Sequence, residues 1–253
     1  MKRVTLGLAM VFMAAGVSLA GLNDGLVAYY AFAHNTKDSS GNNNDGKVYG
    51  NVSYVRGVIG MAAKFGGYDD KGYIHVPNSS SLKFSENATF SLWLKVNDSY
   101  GQTIRDCSGK KENNTSQVIL AKYNDRKGIC IPTSIGSKDF TTIKIDVNAW
   151  DENKSGAQYV SETPMGKWIH IAIVTGSKGT KIYSNGELVN TSNDLRPTDF
   201  RVANSEDMYI GVQPGKDTCL DWWCPLNGEL DEVRIYNRAL SDDEVSRLAN
   251  SGK

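Results

Sequence analysis

Short segments in which apolar and polar residues alternate recur along the chain. In TFSLWLKV (89–96), every second residue from Phe90 to Val96 is apolar and falls on one side of an extended strand, whereas Trp93 falls on the other. Alternation of this kind is typical of strands that place one face in a core. The other segments that predict strands are 26–32, 73–77, 118–123, 141–147, 168–175, 180–185, 208–212 and 229–237. The pattern therefore predicts an all-β protein.

Two local motifs predict a hairpin and a helix. Asn-Gly at 185–186 stands between two predicted strands and favours the positive φ angles of a type I′ turn. In SDDEVSRLANSG, Ser241 is suited to cap a helix and Glu244 completes a capping box. Gly252 is placed to end that helix. One short C-terminal helix is therefore expected.

The first twenty residues have the pattern of a secretory signal peptide. Lys2 and Arg3 precede a mostly apolar run over 6–19, and the small residue Ala20 precedes Gly21. A membrane anchor is the alternative, but the apolar run is short for a span of about 20 residues. We expect cleavage after Ala20, and a secreted protein, extracellular or periplasmic, with no membrane insertion.

Charge argues against a nucleic-acid partner. The chain has 28 basic and 28 acidic residues, and loss of Lys2 and Arg3 would leave 26 against 28, a net charge of −2. Nucleic-acid binding asks for a basic face, which this balance does not indicate.

The four cysteines of the chain predict two disulfides. An even number in an exported protein suggests complete pairing, and four cysteines allow three connectivities. Nearness in sequence favours Cys107 with Cys130 and Cys219 with Cys224. A zinc site is the alternative, but the spacing lacks paired C-x-x-C motifs.

A series of sequence motifs resembles one known family. In chain order the motifs are GLVAYYAF, DSSGNNNDG, KFGGYDDKGYIHVPNSSSL, FSLWLKV, GKWIHIAIV, KIYSNGELV and NGELDEVRIYNRALSDDEVSRL. Over roughly 24–250 the chain resembles the laminin G-like domains of the concanavalin A-like lectin/glucanase superfamily, with an insertion at about 97–160. The resemblance implies a jelly-roll sandwich of two antiparallel sheets, forming one domain over 21–253. Between 97 and 117 the sequence is polar and predicts a long loop.

The acidic strand GELDEVRIY resembles the carboxylate motif of the glucanases in this superfamily, but it is incomplete. Retaining glycoside hydrolysis needs two carboxyl groups about 5 Å apart. Alternation places Glu229 and Asp231 on one face and turns Glu232 to the other. Val233 and Arg234 occupy the positions where a second catalytic acid would stand. No catalytic residue is assigned, and the sequence does not predict an enzyme.

The loop DSSGNNNDG is rich in oxygen ligands. Ca²⁺ prefers six to eight oxygens, and the resemblance implies a structural calcium held by Asp38 and Asp231. The alternative is a loop whose Asn and Asp side chains bond to its own backbone. Both interpretations stay open.

Aromatic residues outside the family pattern suggest a ligand site. Trp222 and Trp223 lie between two cysteines in DTCLDWWCP, beside Asp221, and Trp150 lies in VNAWDEN. Aromatic rings with polar neighbours suit the binding of sugars. In an extended segment the two adjacent tryptophans would point to opposite sides, so one would pack inward while the other met ligand. Packing of both in the core is the alternative.

Together these features predict a secreted, non-catalytic protein that binds carbohydrate or a glycoprotein surface. Its binding face would come from loops near 97–117, 148–156 and 217–225, or from a concave sheet. The alternatives are an adhesion or structural protein with a protein partner and, less favoured, a glycoside hydrolase or polysaccharide lyase. Fold alone does not separate these functions.

Overall fold

The structure is a computed structural model. It describes residues 21–84, 87–97, 102–105, 111–114, 116–124, 127–135, 143–146, 148–150, 158–161, 165–192, 205–214 and 222–252. The predicted signal peptide, Asp221, Cys107 and Cys219 lie outside the described residues.

Strands make up most of the described chain. The first ten are β1 (Leu26–Tyr30), β2 (Lys47–Tyr49), β3 (Val52–Arg56), β4 (Met61–Gly66), β5 (Tyr73–Val76), β6 (Ala88–Val96), β7 (Gln102–Arg105), β8 (Lys111–Asn114), β9 (Ser116–Asn124) and β10 (Lys127–Ile135). The others are β11 (Ile143–Asp146), β12 (Asn148–Trp150), β13 (Gln158–Ser161), β14 (Ile169–Gly176), β15 (Gly179–Ser184), β16 (Glu187–Ser192), β17 (Met208–Ile210), β18 (Gln213–Pro214), β19 (Trp222–Trp223) and β20 (Asn227–Tyr236). Helices are α1 (Gly67–Asp70), a single turn, and α2 (Asp242–Asn250).

The strands form two large antiparallel sheets, as the sequence predicts. Sheet A has the order β16-β15-β14-β6-β20-β4-β3, and β1 also pairs with β20. Sheet B has the order β13-β11-β10-β9-β17-β5-β2, and β12 also pairs with β10. Two small ribbons, β7-β8 and β18-β19, lie outside these sheets. The expectation of a loop throughout 97–117 is therefore wrong where β7, β8 and the start of β9 form.

The core lies between the sheets. β6 supplies the apolar face predicted from its alternation, and its four inward residues are at most 2% exposed. β9, β10 and β17 of sheet B pack against it from the other side. We call the face of each sheet that points away from this core its outer face.

The C-terminal helix covers part of the outer face of sheet A. Its Val245 and Leu248 pack with Ala172, Val174 and Tyr183 in a second apolar cluster. Helix α2 begins as predicted, with the Ser241 side chain accepting from the Glu244 N–H and the Glu244 carboxylate accepting from the Ser241 N–H.

The end of α2 differs from the prediction. The helix ends at Asn250 with Ser251 as its C-cap, and Gly252 follows without the positive φ of a left-handed glycine cap. A Cβ on Gly252 would lie 2.3 Å from the Val58 side chain, so glycine is needed there for close packing. Among the described residues no helix is long and apolar enough to cross a membrane.

The predicted hairpin is present between β15 and β16. Asn185 and Gly186 have φ angles of 51° and 90°, as a type I′ turn requires. The Asn185 side chain also accepts from the His170 N–H at 3.0 Å, which ties the turn to β14.

Candidate functional site

The outer face of sheet B carries a cluster of four aromatic rings. β2, β5 and β17 lie side by side, and their register places Tyr49 opposite Tyr73 and His75 opposite Tyr209. Residues directly opposite one another in an antiparallel pair project from the same face. We call these four residues the tyrosine face.

The rings of the tyrosine face contact one another as a continuous layer. Tyr49 and Tyr73 stack with centroids 5.1 Å apart and planes 4° from parallel. His75 lies 5.1 Å from Tyr209 and 6.1 Å from Tyr49. Tyr73 and Tyr209 close the set at 6.3 Å. Contacts of this kind hold aromatic side chains in fixed orientations, so the layer is organised before any ligand arrives.

Exposure differs across the tyrosine face. Tyr49 is 37% exposed, and the Lys47 ammonium lies 5.0 Å from its ring centroid. Tyr73, the other ring of the stacked pair, is buried, and burial raises its pKa to about 12. Burial, with Asp207 nearby, also raises the pKa of Tyr209. At neutral pH these phenols are uncharged, so each can donate and accept hydrogen bonds.

An acidic residue adjoins the tyrosine face. The Asp207 carboxylate lies 2.8 Å from His75 Nε2 and accepts from the Asn78 N–H at 2.8 Å. Although partial burial alone would raise it, these bonds hold the pKa of Asp207 below its ordinary value. Beneath it, Lys122 is buried and donates to the Asn78 side chain, and burial lowers its pKa to about 8. The face thus combines flat rings with fixed hydrogen-bonding groups at its edge.

The strands that carry the predicted tryptophans lie at different distances from the tyrosine face. Trp223 pairs with Gln213, and Cys130 Sγ donates to the Gln213 Oε1 at 3.5 Å. Cys130 in turn lies opposite Asn148, two residues before Trp150. The register continues across sheet B as Lys47, His75, Tyr209, Ala121, Cys130 and Asn148. The structure therefore places the β18-β19 ribbon next to β9 and β17, whereas β9 and β10 separate β12 from β17. The side chains of Trp150, Trp222 and Trp223 lie outside the described residues.

The acidic strand differs from its prediction at one residue. A β-bulge in β20 between Asp231 and Arg234 inserts an extra residue, and Glu232 has a φ of 52°. Glu232 accepts from the Tyr29 hydroxyl at 2.8 Å, on the outer face of sheet A. The expectation that Glu232 turns away from Glu229 and Asp231 is therefore wrong, because strict alternation does not survive a bulge.

All three carboxylates of this strand are buried, and each makes at least one polar contact. Glu229 pairs with the Lys95 ammonium at 2.5 Å, and Glu232 pairs with the Arg234 guanidinium at 2.5 Å. Asp231 accepts from the Val58 N–H at 2.8 Å and from the Ile59 N–H at 2.9 Å. The exposed fractions of Glu229, Asp231 and Glu232 are 6%, 0% and 3%. Burial raises the pKa of Asp231 to about 6. These contacts join the sheet to the turn at 57–59 and leave little room for a substrate.

The predicted calcium ligands are engaged in separate places. Asp38 Oδ1 accepts from the Tyr29 and Ser40 N–H groups, and its Oδ2 accepts from the Asn44 N–H and the Ser40 hydroxyl, all at 2.8–2.9 Å. Asp231 instead bonds to the 57–59 turn. Within the described ranges, no group of three or more His, Cys, Asp or Glu residues is placed to hold a metal ion. The contacts of Asp38 are those expected of a loop whose side chains bond to nearby backbone, which we call the self-bonded loop. Calcium binding stays a prediction.

The tyrosine face was missed because its signal is weak in the sequence. Tyr73 and His75 alternate within one predicted strand, so they share a face. β2 is only three residues long and was not predicted. The pairing of β5 with β17 joins residues 134 positions apart, as in Tyr209 with His75. Local pattern carries no information on that pairing.

Comparison with known proteins identifies a family and several similar folds. The model of a laminin G family, described as the concanavalin A-like lectin/glucanases superfamily, matches residues 66–246. The human adhesion G-protein coupled receptor D1 is 24% identical over 215 residues, which are 84% of this chain and 21% of the receptor. The chain thus spans about a fifth of the length of that relative.

Two solved structures illustrate the range of similar folds. Domain 4 of AbnA, an extracellular arabinanase from Geobacillus stearothermophilus in complex with arabinotriose, is 22% identical with a TM-score of 0.62, covering 89% of this chain and 98% of that one. The binding domain of botulinum neurotoxin DC in complex with rat synaptotagmin II is 18% identical with a TM-score of 0.62, covering 91% and 52%. At these identities the likeness concerns the fold.

Proposed function

Because the chain belongs to the laminin G-like branch of the concanavalin A-like lectin/glucanase superfamily, we propose that it is a non-catalytic carbohydrate-binding protein. Its binding site is the tyrosine face on the outer side of sheet B. The ligand is a glycan, free or carried on a glycoprotein.

One observation carries this proposal: the rings of Tyr49 and Tyr73 stack in parallel, and the Tyr49 ring is partly exposed. The C–H-rich face of a sugar ring packs well on a flat aromatic face, and nearby polar groups choose among hydroxyl patterns. Tyr49 provides the ring, the Lys47 ammonium lies over it, and Asp207, bonded to His75, provides a further polar group at the edge of the face. The sugar-bound arabinanase domain of similar fold supports this choice of ligand.

The arrangement of carboxylates supports a role without catalysis. Glycosidases need two carboxyl groups that reach the scissile bond, one of them free to exchange a proton. Here Glu229 and Glu232 are held in ion pairs, and Asp231 binds two backbone N–H groups under the 57–59 turn. We expect no release of reducing ends from any polysaccharide that the protein binds.

A glycan array with residues 21–253 tests the proposal. Tyr49→Ala should lose the binding seen for the unsubstituted protein, while Leu188→Ala, at an exposed apolar residue on sheet A, should keep it. Loss in Trp222→Ala or Trp223→Ala with Tyr49→Ala unaffected would move the site to the predicted tryptophans. Absence of glycan binding by the unsubstituted protein would contradict the proposal.

A protein partner is the second candidate. β16 is an edge strand of sheet A, and its Leu188 and Val189 are 48% and 37% exposed. Exposed apolar residues on an edge strand favour pairing with another chain. The synaptotagmin-bound toxin domain of similar fold supports this alternative. Partner capture that Leu188→Ala removes and Tyr49→Ala leaves intact would favour it.

We infer that the protein acts outside the cytoplasm. The pattern of 1–20 is that of an export signal, and the arabinanase whose domain has a similar fold is extracellular. Detection of a mature chain that begins at Gly21 in the exported fraction would test this inference.

A further inference from the structure

Two cysteines from distant parts of the chain meet on the outer face of sheet B. Cys130 lies in β10 and is 2% exposed, in an apolar cluster with Val118 and Ala121. Cys224 follows β19 directly and packs against the same cluster, where it is half-buried. No disulfide bond is present among the described residues, and Cys107 and Cys219 lie outside them.

The surrounding main chain holds the two cysteines in place. The Val118 N–H donates to the Cys224 carbonyl at 2.8 Å, which fixes the end of the β18-β19 ribbon on β9. Cys130 lies opposite Ala121 in the register of β10 with β9. Its Sγ donates to the side chain of Gln213, whose pairing partner is Trp223, the residue before Cys224. Two independent contacts therefore bring the ribbon onto Cys130.

The backbone of Cys224 is in an uncommon conformation. Its φ is 54°, in the left-handed region that residues other than glycine seldom adopt. A conformation of this kind persists where surrounding contacts impose it. Here it turns the chain at the end of β19 while the carbonyl stays bonded to Val118.

We propose that Cys130 and Cys224 form a disulfide bond in the exported protein, which fastens the β18-β19 ribbon to sheet B. The two thiols lose two protons and two electrons as the S–S bond forms. A disulfide-bearing oxidant of the thiol–disulfide oxidoreductase class accepts the electrons, and its own disulfide becomes two thiols. Cys107 and Cys219 are then the remaining pair. This connectivity differs from the pairing of sequence neighbours.

Burial of Cys130 would protect the bond once it has formed. Burial raises the pKa of the Cys130 thiol, and nearby Cys224 adds to the effect. A thiol of this kind is a poor nucleophile, so the less buried Cys224 is the better placed of the two to attack, and the buried Cys130 sulfur is shielded from reductants after the bond forms. The bond would join residues 94 positions apart, so it would restrict the unfolded chain strongly.

Peptide mapping of the non-reduced protein gives a direct test. A protease that cleaves before aspartate places the four cysteines on separate peptides, 106–124, 125–138, 217–220 and 221–230. Protein exported to an oxidising compartment should give 125–138 linked to 221–230, and a reductant should separate the two. Trypsin would not serve, because Cys219 and Cys224 share the tryptic peptide 217–234.

Other maps would overturn the proposal. A link from 125–138 to 106–124, a link from 221–230 to 217–220, or alkylation of all four thiols in the exported protein would each do so. As a second measurement, Cys130→Ala and Cys224→Ala should lower Tm by similar amounts, and the double variant should be no less stable than the single ones. The differences in Tm between the variants and the unsubstituted protein should shrink when all of them are measured under reductant. Binding at the tyrosine face need not change, so failure here leaves the proposed function standing.

Discussion

The phenol ring of Tyr49 lies parallel to that of Tyr73, with 5.1 Å between centroids and 4° between planes. Tyr73 is buried and Tyr49 is partly exposed, so the buried Tyr73 ring fixes the orientation of the Tyr49 ring. A ligand that stacks on Tyr49 meets a surface already fixed in orientation, and little side-chain entropy is lost on binding.

Removal of the Tyr49 ring should therefore weaken glycan binding. For Tyr49→Ala we expect at least a tenfold loss of affinity, about 1.4 kcal/mol. Tyr49→Phe keeps the ring and should stay within about threefold of the unsubstituted protein if stacking dominates. Isothermal titration with a glycan selected on the array measures both. Equal losses in the two variants would assign the effect to the hydroxyl.

A second prediction concerns Asp231 and pH. Burial raises its pKa to about 6 in the folded protein, above the ordinary value of 3.8. A carboxyl group with a raised pKa costs stability when ionised, so the cost is present above pH 6 and is relieved as pH falls towards 4. The isosteric variant Asp231→Asn removes this cost. The stability gained by Asp231→Asn over the unsubstituted protein should be larger at pH 7.5 than at pH 4.5, by about 2 kcal/mol. Urea unfolding at the two pH values measures this, and a pH-independent difference would contradict it.

Glu244 should show the opposite pH dependence. Its carboxylate accepts two bonds from Arg238, at 2.7 and 2.9 Å, and one from the Ser241 N–H. The Arg238 bonds lower the pKa of Glu244 from 4.5 to about 2. The stabilisation is therefore complete above pH 4.5 and is lost as pH falls towards 2. Glu244→Gln should be less stable than the unsubstituted protein at pH 6, and the gap should narrow at pH 3. Asp243→Asn, on the exposed side of α2, is the matched control.

Asp38 separates the two interpretations of its loop. Its carboxylate accepts three backbone N–H groups and one hydroxyl, so Asp38→Ala leaves several donors without their partner. We expect a loss of about 2–3 kcal/mol in unfolding free energy. The self-bonded loop predicts the same loss with Ca²⁺ or with a chelator. A Tm of the unsubstituted protein that rises with Ca²⁺, and no longer does so in Asp38→Ala, would instead establish a metal site.

Features that depend on a few neighbouring residues could be predicted from the sequence. The Asn185–Gly186 turn and the Ser241–Glu244 capping box both form as expected, because each is set within four residues. The apolar face of β6 is also confirmed, since one strand contains its whole pattern.

Features that depend on pairing could not be predicted in this way. The bulge that turns Glu232 toward Asp231 exists because β20 fits against β6, which the local sequence does not specify. β10 was not predicted, since its sequence KGICIPTSI contains glycine and proline, which are uncommon in strands. The tyrosine face needs three strands that are far apart in sequence, and so it became visible only with the register of sheet B.

Both ends of the described chain lie against sheet A. The Arg238 guanidinium bonds to the carbonyls of Gly21 and Asp24, and Gly252 lies beside Trp93 on the same outer face. The tyrosine face is on the opposite side of the sandwich. A bead, a surface or a neighbouring domain attached through either end would therefore sit behind the molecule and present the aromatic layer outward. Immobilisation through a terminal tag should leave ligand access unobstructed, whereas coupling through Lys47 should block it.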